Sequence, residues 1–152
     1  MRITYEPVVA QDFEAMLALR MEALRPSLTR LGRWNPEFSR GHFEAAFEPT
    51  HMRHIVVGAE RVGFYTLLPH ADDWMLRHLY LDACTRGKGV GSQVIRHVQQ
   101  TAAQHGKVIV LEALQHSDSN RFYVRHGFVK IGEDAIDVFY RWEPSAQSQE
   151  GL

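Results

Sequence analysis

Seven consecutive residues, Arg86-Gly87-Lys88-Gly89-Val90-Gly91-Ser92, hold three glycines and two cations. Glycines at alternate positions remove Cβ atoms where a backbone must turn tightly or approach a ligand. The stretch opens the segment Gly89–His105, in which Val90, Val94, Ile95, Val98 and Ala102 form one helical stripe while Arg96, Gln99, Gln100 and Gln104 face away. A glycine turn at the start of a helix presents free N–H groups and the positive end of the helix dipole. Arg86 and Lys88 add to that field, so the natural ligand is a phosphate or pyrophosphate. Two common phosphate signatures do not fit. A P-loop places its lysine after the last glycine, whereas Lys88 lies between glycines, and a dinucleotide turn needs its third glycine where Ser92 or Val94 stands.

The elements around this turn alternate. Ile3–Val9 reads as a strand, and Asp12–Leu24 as a helix ended by Pro26. Leu31–Asn35 is a loop. Pro36–Phe47 reads as a second helix, with Asn35 as N-cap and proline in the first turn. His54–Gly58 and Val62–Leu68 form a hairpin about Ala59-Glu60-Arg61, and Trp74–Leu81 is a third run of strand. Gly106 ends the helix that begins at Gly89. Val108–Leu111 is apolar throughout, as a central parallel strand should be. Residues 74–114 are therefore a strand–helix–strand unit. Ser119–His126 is a short helix closed by Gly127, and Phe128–Ile131 and Val138–Trp142 are two final antiparallel strands. The expected fold is a mixed α/β (α+β) single domain whose mostly antiparallel, twisted sheet contains one central parallel βαβ unit.

Composition narrows the partners. The chain has 152 residues and a formal charge of −1, a size that suits one domain and a charge that excludes simple electrostatic binding to nucleic acid or an anionic membrane. The charge is unevenly spread. Residues 86–130 carry seven basic residues against Glu112 and Asp118, a net of +5, and the rest of the chain carries −6. The single cysteine, Cys84, fits a reducing compartment. Met1–Ala10 includes Arg2, Glu6 and Pro7 rather than an apolar run, and no stretch approaches the roughly 18 apolar residues of a membrane span. The expected location is the cytoplasm. His51-x-x-His54 is the closest approach to metal-ligand spacing and has no cysteine or carboxylate beside it, so no metal is expected.

The spacing Arg86-x-x-Gly89-x-Gly91 resembles the pyrophosphate-binding signature of the GNAT superfamily of acetyl-CoA-dependent N-acetyltransferases. Leu79-Tyr80-Leu81-Asp82 is similar to that family's fourth strand. Arg121-Phe122-Tyr123-Val124-Arg125-His126-Gly127-Phe128 is similar to its FYxxxGF helix and following strand. Tyr123 stands 31 residues after Ser92, with one strand between. The order of elements matches too, so the resemblance spans about residues 1–143 and leaves 144–152 as a flexible tail.

The resemblance implies acetyl-CoA as cofactor. Its pyrophosphate would lie on the backbone of Arg86, Gly87, Lys88, Gly89, Val90, Gly91 and Ser92, and its pantetheine arm along Leu79, Tyr80 and Leu81. Asn120, Phe122, Tyr123 and Arg125 would complete the contacts. A backbone N–H near Leu81 would face the developing oxyanion. Tyr123 matches the family's general acid for the departing thiolate. One departure is visible. Family members often carry an asparagine about seven residues before the tyrosine, where this chain has His116 followed by Ser117; Asn120 lies nearer the tyrosine.

An attacking amine must lose its proton, so a base or water relay is expected. Glu112 is the first candidate, with His116, His78 and water as alternatives. The family's acceptor region corresponds here to Glu22, Arg25, Trp34, Glu37 and Phe38. It belongs to the acidic part of the chain, which suits a cationic acceptor such as a polyamine, an aminoglycoside-like compound, a lysine side chain or a protein N-terminus. Solvated surface carboxylates would give the same count. A coenzyme-binding module without catalysis and a transferase of a longer acyl group are the competing readings, and the family also admits homodimers.

Overall fold

A computed structural model describes residues 2–145. Of the tail expected over 144–152, residues 146–152 lie outside the described residues. Seven strands form one sheet in the order β1-β2-β3-β4-β5-β7-β6. They are β1 (Ile3–Pro7), β2 (Met52–Val57), β3 (Glu60–Pro69), β4 (Asp73–Leu81), β5 (Val108–Leu114), β6 (Val129–Glu133) and β7 (Asp137–Trp142). Four helices accompany them: α1 (Phe13–Arg30), α2 (Pro36–Ala46), α3 (Val90–Gln104) and α4 (Ser119–Arg125). This is the expected mixed α/β fold. Antiparallel pairs join β1 to β2, β2 to β3, β5 to β7 and β6 to β7. The parallel pair is β4 with β5, where Trp74 stands opposite Ile109 and Met75 opposite Val110.

The described residues gather into two compact groups. In the first, residues 2–66 and 78–88, the core is aromatic. Phe43 and Phe64 are fully buried and their rings lie 5.8 Å apart, while Phe13 stacks on Phe43 at 5.4 Å. Asn35 accepts a bond from the Phe38 amide at 3.1 Å, capping α2 as its sequence predicts. The expected stop at Pro26 is not observed. Proline forfeits only one backbone donor, and α1 runs on past it to Arg30, where the Leu31 amide donates to the Ser27 carbonyl at 3.1 Å. The hairpin turns at Gly58-Ala59, earlier than expected, since Gly58 supplies the φ of +64° that the turn requires.

In the second group, residues 67–77 and 89–145, the stripe Val90, Val94, Ile95, Val98 and Ala102 of α3 is buried as anticipated. Ile109, Leu111 and Ala113 of β5 are buried and stand opposite Trp142, Tyr140 and Val138 of β7. The alternate residues of β5 point to the other face. There Met75, Val110, Glu112, Ile131 and Phe139 help line a shallow apolar pocket of about 230 Å³.

Candidate active site

The glycine turn leads into α3 as its residues demand. Gly87 and Gly89 take φ values of +78° and +82°, left-handed backbone that a side chain would strain. No side chain caps α3, and nothing stands within 4 Å of where a Cβ would project at Gly87 or Gly89. The first amides of α3 thus have no side-chain cap, and the exposed residues Arg86 and Lys88 directly precede them in the chain. Val90 turns inward and is buried, while Gly91 and Ser92 are half-buried. Just before the turn, Asp82 Oδ1 accepts the Thr85 amide at 2.9 Å, and the Arg86 Nε donates to the Leu81 carbonyl at 3.1 Å.

Leu79, Tyr80 and Leu81 end β4 half-buried. Their backbone is crowded by β3: a Cβ on Gly63 would come within 2.1 Å of the Tyr80 carbonyl. His78 points into the aromatic core. It is buried, its Nδ1 is 2.8 Å from Thr66 Oγ1, and the rings of Phe43, Phe64 and Tyr80 surround it. That setting makes it a packed interior histidine.

On α4, Tyr123 is buried against Phe122, Phe128 and Tyr140. Phe122 is half-buried and Arg125 exposed. Asn120 donates to the Leu114 and Ser117 carbonyls at 2.8 and 3.0 Å and accepts the Tyr140 hydroxyl at 2.8 Å. Its amide therefore ties the loop between β5 and α4 to β7. His116, in that loop, is exposed and holds a φ of +64°, a left-handed conformation uncommon outside glycine. Glu112 is exposed on β5 opposite Phe139. Since Leu111 stands opposite Tyr140, which packs on Tyr123, Glu112 faces the other side of the sheet from Tyr123.

Two features escaped the sequence reading. One is the bond of Asn120 to Tyr140, for which no local pattern exists. The other is a bond of 3.0 Å between Ser92 Oγ and His126 Nε2. The spacing of Ser92, Arg96 and Gln99 along one helical face was its only trace. Among the described residues no group of three or more His, Cys, Asp or Glu side chains could hold a metal ion, and no helix is long and apolar enough to cross a membrane.

The family model of the acetyltransferase (GNAT) domain matches residues 51–130, more than half of the chain. The chain belongs to the GNAT acetyltransferase family. No curated protein matches it. Among solved structures it is similar to the PaiA N-acetyltransferase of Thermoplasma acidophilum in complex with coenzyme A, at 16% identity and a TM-score of 0.76, covering 95% of this chain and 100% of that one. The ribosomal-protein-S18-alanine N-acetyltransferase of Escherichia coli aligns at 13% identity and a TM-score of 0.71, over 95% of each chain. The histone acetyltransferase HPA2 and related acetyltransferase of Corynebacterium glutamicum aligns at 23% identity and a TM-score of 0.69, over 96% of this chain and 98% of that one. At such identities these likenesses establish the fold. As a GNAT domain the chain is an acyltransferase with a coenzyme A-linked donor. The open backbone at Gly87 and Gly89, uncapped and flanked by two cations, fits the pyrophosphate of that donor.

Proposed function

We propose that this GNAT chain is an N-acetyltransferase that moves the acetyl group of acetyl-CoA to a primary amine on a small molecule or peptide. The observation that carries the reading is the uncapped glycine start of α3, followed one strand later by the buried Tyr123 on α4. The relatives named as N-acetyltransferases support the amine acceptor. The single cysteine, exposed and free, suits a reducing compartment such as the cytoplasm.

Acetyl-CoA supplies the acetyl group as a reactive thioester. Arg86, Lys88 and the backbone from Gly87 to Ser92 bind its pyrophosphate, and Leu79, Tyr80 and Leu81 flank its pantetheine arm. A backbone N–H near Leu81 donates to the acetyl oxygen as negative charge develops there. Glu112, on the opposite face of the sheet from Tyr123, is too far from the same acetyl carbon to act as base, so water takes the proton that the amine must shed, and the new N–C bond forms as the C–S bond breaks. The electron pair leaves with sulfur, and the Tyr123 hydroxyl gives that sulfur its proton. Asn120, with both ends of its amide engaged, acts by holding the loop in front of α4.

The test is release of free thiol from acetyl-CoA in the presence of a polyamine, a lysine peptide and a peptide with a free N-terminus. The intact chain is expected to release thiol with at least one of them. Tyr123→Phe is expected to lower kcat by about one to three orders of magnitude while KM for acetyl-CoA stays nearly constant. Wild-type turnover in that variant would remove the acid from Tyr123. Binding of acetyl-CoA with no thiol release from any amine would favour a coenzyme-binding module instead.

A further inference from the structure

Arg20 stands on the core-facing stripe of α1, beside the buried Met16 and Leu17. Only 8% of it is exposed, a depth at which an arginine ordinarily has a carboxylate partner. Among the described residues Arg20 has none. Its helical neighbours three and four residues away are Met16, Leu17, Ala23 and Leu24, all uncharged. What meets the guanidinium comes from α2 and is neutral. Nη1 donates to the buried Ser39 Oγ at 2.9 Å, and the guanidinium carbon stands 5.6 Å from the centre of the Phe43 ring. Arg40 of α2 is the contrast, since it is exposed and yet pairs with both Glu14 and Glu44. Arg20 Nε is fully buried and has no hydrogen-bond partner. Nη2 has none among the described residues either, but it is not closed to solvent. These two nitrogens share one edge of the guanidinium plane, the fork that takes both oxygens of a carboxylate. A buried charge without a counter-charge is strongly destabilising. Neither α1 nor α2 supplies the counter-charge, so a ligand is its natural source.

We infer that Arg20 binds the carboxylate of the acceptor, and that the acceptor is an amine that also carries a carboxylate, as amino acids do. The inference rests on the N-acetyltransferase reading and names the acceptor class for it. The position of Arg20 suits that role. The Phe43 ring beneath its guanidinium lies 5.4 Å from His78, and His78 lies 5.8 Å from Tyr80, the residue of β4 assigned to the pantetheine arm. The charge suits it as well. A lone guanidinium against an aromatic ring and a hydroxyl balances one negative charge, which favours a carboxylate over a phosphomonoester, close to doubly charged at neutral pH. One carboxylate oxygen meets the open Nη2. The second reaches Nε when the side chains over it shift, an adjustment common on binding.

The test is thiol release from acetyl-CoA by the full chain with the common amino acids, each beside its carboxamide, and with a polyamine. For the amino acids it accepts, the wild-type chain is expected to show a kcat/KM about tenfold to a hundredfold above that for the matching carboxamides, the range of one charge-assisted contact or more. Arg20→Met keeps an unbranched chain in the core and removes the charge. It is expected to melt no lower than the wild type and to lose the preference, with the change carried mainly by KM of the acid. Equal use of acids and carboxamides by the wild-type chain, or thiol release with the polyamine alone, would overturn the inference and leave the N-acetyltransferase reading standing. A preference that survives in Arg20→Met would overturn it too. So would a lower melting temperature in that variant with kcat/KM reduced equally for acids and carboxamides, which would make Arg20 a brace between α1 and α2. If Arg20→Met does not fold, inhibition of the wild-type chain decides. The amine-free carboxylate with the side chain of an accepted amino acid is expected to compete with it, and the corresponding amine-free amide is not; equal inhibition by both would overturn the inference. Thiol release with no amine at all would overturn the N-acetyltransferase reading, and the inference with it.

Discussion

The residue with the least freedom is Gly63. In the sequence it sits inside the run Val62–Leu68, which reads as strand. In the fold a Cβ there would lie 2.1 Å from the Tyr80 carbonyl and 3.1 Å from the Leu81 Cα. Neither neighbour is the end of a flexible side chain, so β3 and β4 would have to part. Gly63→Ala is expected to cost about 1–3 kcal/mol, the usual penalty of overpacking, read as a lower midpoint in denaturant. Because the displaced backbone is the Tyr80–Leu81 stretch, acetyl-CoA should also bind the folded variant more weakly. Unchanged stability would show that the strands yield at no cost. Tyr123 illustrates the opposite case at the same scale. Its place in the FYxxxGF pattern marked it, and the structure adds the three rings that fix its position.

Among the elements, α1 departs furthest from its sequence, at its far end. Its far end passes Pro26, where local propensity would stop it. Its near end is pinned by Asp12, whose Oδ2 accepts the Val9 amide at 2.9 Å and lies 2.8 Å from His54 Nε2 of β2. Arg61 of β3 approaches Oδ1 at 3.2 Å. The bond to His54, then the Val9 amide and the nearby positive charges, hold the Asp12 carboxyl below its ordinary value of 3.8, against the opposing effect of burial. A carboxyl depressed in the folded state stabilises the fold above its unfolded value, and that contribution is lost as pH falls through the lower folded value. Asp12→Asn is therefore expected to melt below the wild type at pH 7, with the gap narrowing as the pH drops below about 4. Thermal unfolding across that range checks it; a constant gap would place the role of Asp12 in packing alone. The other helices were more legible. Asn35-Pro36 marked the start of α2, and the apolar stripe of α3 lies buried, because caps and periodicity act within a few residues.

For the whole molecule the charge asymmetry becomes a statement about ligands. The +5 segment holds the glycine turn, α3, β5 and α4. A ligand that binds only the folded chain raises its stability in proportion to the logarithm of its concentration, by about 2.7 kcal/mol at a hundred times Kd. Acetyl-CoA is expected to raise the melting temperature in that manner. A melting temperature independent of acetyl-CoA up to millimolar concentration would remove the donor assignment.

The order of elements, the glycine turn with its charges and the tyrosine helix were all determined by the sequence alone. Each depends on sterics and hydrogen bonds within a turn or two of chain. The tertiary structure decided that β7 lies between β5 and β6, and that Gly63 has no room for a methyl group. It also decided that Glu112 and Tyr123 face opposite sides of the sheet, that Asn120 is bound to Tyr140, and that Ser92 meets His126 across 34 residues. These are meetings between segments far apart in the chain. Which segments meet is set by how the whole sheet and its helices bury their apolar faces, and no local pattern records it.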